Sequence, residues 1–87
     1  MKLVISPKAE KQLRKLNKID QIATAKKIRQ LASSQNPSFK KLSGYKNIYR
    51  IRVGNIRIVF KKTKESTYII LVHHRKDVYK LLKRLFD

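Results

Sequence analysis

The sequence predicts an α+β fold: a small single domain over residues 1–87, with an N-terminal helical hairpin packed on a twisted, mainly antiparallel β-sheet and a short C-terminal helix. Three observations lead to this class. Apolar residues recur at helical spacing through the first third of the chain, and they alternate with polar residues from position 49 to position 60. A further apolar run at 68–72 precedes another helical pattern. A chain of 87 residues is long enough for one modest hydrophobic core.

The chain begins with a short strand and two helices. Residues 3–5 form an apolar run suited to a strand, and Ser6 and Pro7 predict a helix start, with serine at the N-cap and proline at the first helical position. A second helix is predicted from about 19 to 33, and the polar segment 33–38 ends the helical part. Because both helices are short and closely connected, they are expected to form an antiparallel hairpin. The apolar stripe of the second helix would consist of Ile22, Ala25, Ile28, Leu31 and Ala32.

The rest of the chain predicts the sheet and a final helix. Residues 39–42 form either a short strand or an irregular segment that leads to the sheet. Strands follow at 48–53, 56–62 and 67–72. The last of these strands is apolar on both faces, as expected of a central strand. Asp77 is the predicted N-cap of a helix over residues 78–86. The apolar side of that helix would be formed by Val78, Leu82, Leu85 and Phe86.

The most informative segment is the alternating stretch around Gly54 and Asn55, which predicts a β-hairpin with one cationic face. These two residues form the kind of connection that closes tight hairpins. In that register Arg52 lies directly opposite Arg57, and Arg50 lies on the same face. The other face would be wholly apolar and consist of Tyr49, Ile51, Val53, Ile56, Ile58 and Phe60. Like charges opposed across a strand pair, roughly 5 Å apart at Cβ, destabilise a sheet, so this pair predicts an anion-binding site.

The composition points to a polyanionic partner. The chain carries 23 Lys and Arg residues against 5 Asp and Glu, a net charge of +18, which suggests nucleic acid and is also compatible with an acidic protein. The acidic residues are scattered, cysteine is absent and only two glycines occur, so we expect no metal site, cofactor, disulfide or phosphate-binding loop. The apolar run at 3–5 is too short for a signal peptide or membrane span, so we expect a cytoplasmic protein without a membrane partner.

A second basic group follows the last predicted strand, at residues 73–79. If that strand pairs beside the hairpin, Arg75 and Tyr79 emerge at the same end of the sheet as Arg52 and Arg57. An arginine binds phosphate oxygens through two parallel hydrogen bonds, and a tyrosine stacks on a base or reaches a phosphate. Such a site could cleave RNA without a metal, because the 2′-hydroxyl can attack its own phosphate while arginines stabilise the charge on the phosphorane.

Further RNA contacts are expected from Lys46, His74 and Lys76. Strand alternation sends one histidine of the 73–74 pair toward the core and the other outward, and His74 is the stronger candidate because it adjoins the C-terminal arginine. Two other interpretations stay open. The arginines of the first hairpin strand could be ordinary solvent-facing residues, and Tyr79 could be a packing residue of an amphipathic helix.

Together these segments resemble the RelE/ParE superfamily of toxins from bacterial and archaeal toxin–antitoxin pairs. The matching segments are Leu-Ser-Gly-Tyr at 42–45, Tyr-Arg-Ile-Arg-Val-Gly-Asn-Ile-Arg-Ile-Val-Phe at 49–60 and His-Arg-Lys-Asp-Val-Tyr at 74–79, after a helical hairpin ended by Asn-Pro at 36–37. The resemblance implies a RelE-like, ribosome-dependent endoribonuclease that cuts messenger RNA in the ribosomal A site. It also implies a cognate antitoxin, which the charge of +18 suggests is acidic and wraps the basic face.

The resemblance also implies roles for five residues. Arg50 and Arg52 would assist activation of the 2′-hydroxyl, and Arg57 would hold the scissile phosphate. Arg75 would stabilise charge or protonate the leaving oxygen, and Tyr79 would position the nucleotide. RelE enzymes often carry lysines where this chain has its first two arginines, and no glutamate in the hairpin matches relatives that use a Glu and His pair. The alternatives are a ParE-like toxin that inhibits DNA gyrase, a branch that generally lacks this nuclease set, and a non-catalytic RNA-binding module.

Overall fold

This computed structural model describes residues 2–33 and 39–86. A five-stranded mixed sheet has the strand order β1-β5-β4-β3-β2, with β1 and β5 parallel and the remaining neighbours antiparallel. The elements are β1 (Lys2–Ile5), α1 (Pro7–Lys15), α2 (Lys18–Ala32), β2 (Lys40–Lys41), β3 (Ile48–Val53), β4 (Ile56–Lys62), β5 (Ser66–His74) and α3 (Arg75–Phe86). The predicted helix-ending segment lies outside the described residues after position 33. No helix in the described part of the chain has the length and apolar character needed to cross a membrane.

The helical hairpin begins as the sequence predicts. The Ser6 hydroxyl accepts a hydrogen bond from the backbone N–H of Ala9 at 3.0 Å, and Pro7 is the first residue of α1. Asn17 caps α2 in the same way, because its Oδ1 accepts from the N–H of Asp20 at 2.9 Å. The cap explains why α2 begins at Lys18 after only a short break from α1.

The central hairpin has the predicted strands and register. Arg52 lies opposite Arg57, and the Gly54 and Asn55 pair connects the strands. Gly54 has φ +59 and Asn55 does not have a positive φ, which is the pattern of a type II′ turn. Such a turn matches the right-handed twist of the strands that it joins, and it therefore fixes the register locally.

Helices cover both faces of the sheet. On one face α1 and α2 cover a core that includes Ile51, Ile58 and Phe60, as the sequence predicts. On the other face α3 covers a second core, formed by Ile48, Val59, Leu71, Val78 and Leu82. The arginines of the hairpin share this second face, so they lie beside α3 rather than on an open surface.

The predicted apolar stripe of α2 is only partly correct. Ile28 and Leu31 are buried, but the buried face also contains Thr24, and Ile22 is 59% exposed. Residues two positions apart in a helix differ by about 200° around its axis. When Thr24 faces the sheet, Ile22 therefore faces solvent. Packing against the sheet, rather than apolarity alone, selects which side of α2 is buried.

A β-bulge in β5 changes its register against β4. Val59 lies opposite Leu71 and Phe60 lies opposite Ile69, so Ile70 is the additional residue. The Ser6 hydroxyl donates to the Ile70 carbonyl at 2.9 Å, which satisfies an oxygen at the bulge. Beyond the bulge β5 continues to His74, two residues past the predicted end.

Helix α3 begins earlier than predicted. It starts at Arg75, directly after β5, whereas the sequence predicted a start at residue 78 with Asp77 as the N-cap. The Arg75 N–H donates to the Asn55 carbonyl at 2.9 Å, and this bond extends the β4–β5 pairing to the first residue of the helix. Asp77 therefore lies within the first turn, where a carboxylate is favourable near the helix N-terminus but does not cap it.

Candidate active site

Three cationic or titratable side chains form a row across the sheet at the turn end of the hairpin. Arg52 on β3 lies opposite Arg57 on β4, which in turn lies opposite His73 on β5. Arg50 is one row further along β3 on the same face, between Val59 and Lys40. The structure therefore brings together the three predicted hairpin arginines and adds a histidine that the sequence did not favour.

Arg57 is the buried centre of this row. Only 8% of its surface is exposed, and its Nη1 donates to the carbonyl oxygens of Gly54 at 2.9 Å and Ile56 at 3.1 Å. A guanidinium has five N–H donors, so these bonds fix the group against the turn and leave donors for a ligand. No carboxylate pairs with it among the described residues. A fixed, buried cation without an acidic partner is suited to an anion.

A cationic cleft of about 440 Å³ lies beside the outer part of β3. Four of its lining residues are positively charged, and they come from α2, β2 and β3. The lining residues are Lys27, Phe39, Lys40, Arg50, Ile51 and Arg52. Arg50 and Arg52 thus continue the positive surface from the row at Arg57 to the edge of the sheet.

Arg75 and Tyr79 lie on the flank of α3 that is directed away from α1. Four residues apart, they share one side of the helix, while Val78 and Leu82 anchor it on the sheet. Leu81 lies on the other flank, where it lines a cleft with α1, so the flank with Arg75 is directed the opposite way. Arg75 is exposed and Tyr79 is 42% exposed, which leaves both side chains accessible to a ligand.

The three predicted RNA contacts have different positions. His74 and Lys76 line a cleft of about 430 Å³ with Asn55, Arg75 and Asp77, at the same end of the sheet as the arginine row. Lys46 is exposed in the turn before β3, at the other end of the strand from Arg52, and the four steps from Ile48 to Arg52 alone span about 13 Å. The structure therefore does not bring Lys46 to the arginine row.

His73 is the site residue that sequence reasoning missed. Ile69 faces the core that α1 and α2 cover, and in a regular strand residues 71 and 73 would face the same way. The bulge at Ile70 shifts that parity by one, so His73 shares the face of Arg57. No local pattern in the sequence marks this bulge, because the residue that binds it, Ser6, is 64 positions away.

Residues 3–79, from β1 into α3, match the family described as the ParE toxin of type II toxin–antitoxin systems, parDE. The chain belongs to this family. The matched part of the toxin contains the hairpin arginines and extends to Tyr79. The predicted resemblance to the RelE/ParE superfamily is therefore confirmed.

Solved RelE structures share the fold of this toxin. The RelB–RelE antitoxin–toxin complex from Methanococcus jannaschii matches with a TM-score of 0.75 at 29% identity, over 90% of this chain and 96% of that chain. The intact E. coli RelBE complex matches with a TM-score of 0.72 at 25% identity, over 84% and 94%. Toxin RelE3 of Methanocaldococcus jannaschii is 48% identical over 40 residues, 46% of each chain, so the match spans about half the length of that curated relative.

The geometry of the toxin suits a polyanion that bends around the turn end of the sheet. Arg57 supplies fixed donors, Arg52 and Arg75 supply exposed charge on either side, and Tyr79 supplies an accessible ring. Within residues 2–33 and 39–86, no group of three or more His, Asp or Glu side chains could hold a metal ion. What this arrangement offers is preorganised positive charge, which stabilises negative charge that develops on a bound phosphate.

Proposed function

We propose that this toxin is a ribosome-dependent, metal-independent endoribonuclease that cleaves messenger RNA in the ribosomal A site and so inhibits translation. The observation that carries the proposal is the buried Arg57 guanidinium, which lacks a carboxylate partner in the described structure and lies opposite Arg52. Such an arrangement destabilises the free sheet and becomes favourable when a phosphate binds between the charges. The superfamily resemblance supports RNA as the polyanion.

The proposed reaction is an in-line attack within the RNA. The 2′-oxygen forms a bond to the adjacent phosphorus, the bond from phosphorus to the 5′-oxygen breaks, and a 2′,3′-cyclic phosphate and a 5′-hydroxyl result. Arg57 holds the non-bridging oxygens, while Arg50 and Arg52 stabilise the developing 2′-alkoxide as its proton passes to solvent. Arg75 stabilises or protonates the leaving oxygen, and Tyr79 stacks on the nucleotide and holds it in position.

The proposed partners follow from charge and from the relatives. An acidic antitoxin that wraps the basic surface would neutralise part of the +18 charge and cover the arginine row. The two solved relatives described above are complexes of a toxin with its antitoxin, which supports this partner. The ribosome would present the messenger RNA in the geometry needed for attack, and the site of action would be the cytoplasm.

The test is cleavage of a messenger RNA with and without translating ribosomes, with primer extension to locate the cuts. Arg75→Gln should remove cleavage without unfolding the protein, because Arg75 is exposed at the start of α3. Arg84→Gln is the matched control, since it removes the same charge from an exposed position on the opposite side of the same helix, about 180° from Arg75, and should cleave normally.

The other outcomes separate the competing functions. Growth arrest with intact messenger RNA and altered plasmid supercoiling would support gyrase inhibition, which the ParE family match keeps as the second candidate. Binding to isolated RNA with neither cleavage nor growth arrest would support an RNA-binding module. Either result would overturn the nuclease proposal.

A further inference from the structure

A second basic cleft lies on the opposite flank of α3 from Arg75 and Tyr79, between α1 and the last residues of β5. Its volume is about 400 Å³, and we call it the α1–β5 cleft. Its polar lining consists of Lys8, Lys11, Gln12, Lys15, His73 and His74. The rest of the lining is apolar and consists of Leu16, directly after α1, Val72 of β5 and Leu81 of α3. None of the described residues that line it is acidic.

Gln12 fixes the lysines of α1 at this cleft. Strand β1 pairs with β5 only as far as Ile69, and beyond that point the Gln12 Oε1 accepts a hydrogen bond from the N–H of Val72 at 2.8 Å. Helix α1 thus takes the place of a strand along the outer edge of β5. The three lysines lie within an arc of about 100° that includes Gln12, so the bond that anchors α1 also turns them toward the cleft.

His73 gives the cleft an unsatisfied polar group. Its Nδ1 is buried and has no hydrogen-bond partner within the described part of the chain. A neutral imidazole has one donor and one acceptor nitrogen. In the tautomer that carries its proton on Nε2, the ring offers a donor on its other edge to a ligand of the cleft that His73 lines.

The α1–β5 cleft adjoins the cleft at the start of α3 that contains Arg75. His74 lines both this cleft and the neighbouring cleft that contains Asn55, Arg75 and Lys76. The two clefts therefore lie side by side from Asn55 at the hairpin turn, past the first turn of α3, to the lysines of α1. Among the described residues that line them only Asp77 is acidic, and Glu10 of α1 forms an ion pair with Arg14.

We propose that the α1–β5 cleft binds a second phosphodiester of the same RNA strand whose scissile phosphate is held at Arg57. This inference rests on the proposed nuclease function and adds a substrate subsite to it. Lysine ammonium groups bind phosphates as mobile point charges, and the apolar lining of the cleft accepts a ribose or base. An RNA strand is favoured over an acidic peptide because the cleft adjoins the one that contains Arg75, which is proposed to act on the leaving oxygen of the RNA.

The test compares RNA binding by two variants of equal charge. The cleft variant is Lys8→Gln, Lys11→Gln and Lys15→Gln, and the control variant changes three exposed lysines away from these clefts, Lys2→Gln, Lys26→Gln and Lys64→Gln. The ligands are 2′-O-methyl oligonucleotides, which lack the attacking hydroxyl, of two and of eight nucleotides. Fluorescence anisotropy over a range of salt concentrations gives the affinity and its salt dependence.

The cleft variant should lose affinity for the octanucleotide only. The cleft is proposed to hold one phosphodiester, and each lost phosphate contact lowers the salt slope for single-stranded RNA by about 0.7, so the cleft variant should lower the slope by about 0.7. The control variant should change this slope by less than half as much, and both variants should bind the dinucleotide like the original chain. Equal effects of the two variants on the octanucleotide would overturn the cleft assignment.

His73 provides a second measurement that is independent of total charge. Titration of the octanucleotide should shift the His73 ¹⁵Nε2 resonance, and His73→Gln, which retains a donor, should bind more tightly than His73→Leu. An unchanged resonance would refute the inference. If poly-glutamate shifts the resonance and RNA does not, the cleft belongs to an acidic protein. Failure of this inference leaves ribosome-dependent cleavage and its loss in Arg75→Gln intact, whereas absence of cleavage refutes the proposed function itself.

Discussion

Replacing Arg52 by glutamine is predicted to make the protein more stable while it weakens the proposed activity. Arg52 is exposed and lies directly opposite Arg57, and opposed residues of a hairpin have Cβ atoms roughly 5 Å apart. Like charges in that position cost about 0.2–1 kcal/mol of stability. For a domain of this size each kcal/mol shifts the Tm by about 4–8 °C, so we expect Arg52→Gln to raise the Tm by about 1–8 °C at low salt.

Salt provides the decisive measurement. At 1 M salt the Debye length is about 3 Å, shorter than the separation of the two side chains, so the gain in Tm should largely disappear. Lys26→Gln is the control, because it removes one exposed charge from α2 without touching the hairpin. A gain that persists at 1 M salt, or an equal gain in the control, would refute the opposed-charge reasoning.

Replacing Arg57 by glutamine should destabilise the protein, in contrast to the same replacement of Arg52. Arg57→Gln removes the Nη1 bonds to the carbonyls of Gly54 and Ile56, and hydrogen bonds from charged groups contribute about 1.5–3 kcal/mol each. We expect a net loss of about 2–6 kcal/mol in the free energy of unfolding, measured in urea, after relief of the repulsion is included. In that background Arg52→Gln should no longer stabilise the protein, and a gain of the original size would show that Arg52 acts through some other residue.

Three further substitutions test other parts of the fold. Thr24→Val should raise the free energy of unfolding by about 1 kcal/mol, because the buried Thr24 hydroxyl has no partner among the described residues; a decrease in urea unfolding would contradict this. Gly54→Ala should cost about 1–2 kcal/mol because φ is +59, although no atom lies within 4 Å of the added Cβ; an unchanged Tm would contradict this. Gln12→Ala should speed hydrogen exchange of the Val72 amide, whereas Gln12→Glu, which keeps the acceptor, should retain protection; equal exchange in both would contradict the role of this bond.

The hairpin could be predicted from the sequence because its determinants are local. The turn at Gly54 and Asn55 fixes the pairing of residues that lie within a few positions of each other, and strict alternation then assigns each side chain to a face. The start of α1 was predictable for the same reason, since Ser6 and Pro7 act on the turn that they begin. Local signals of this kind need no knowledge of the rest of the fold.

The errors arose where distant contacts decide the local structure. The buried face of α2 depends on how the helix lies on the sheet, so Thr24 is buried and Ile22 is not. The start of α3 depends on the bond from the Arg75 N–H to the Asn55 carbonyl, across 20 residues. The position of His73 depends on a bulge that is bound by Ser6. None of these contacts leaves a periodic pattern in the sequence.

The bulge in β5 also explains how a small sheet can carry an unfavourable row of charges. It gives the α3 face both Ile70 and Leu71, and these side chains pack with α3 directly beyond the row at Arg57. The other face of the hairpin remains wholly apolar and is covered by α1 and α2. Burial on both faces therefore offsets the repulsion between Arg52 and Arg57, and the arginines can stay in place without a ligand. Such a site is preorganised, because a bound phosphate relieves the repulsion between the arginines and the side chains do not have to move together first.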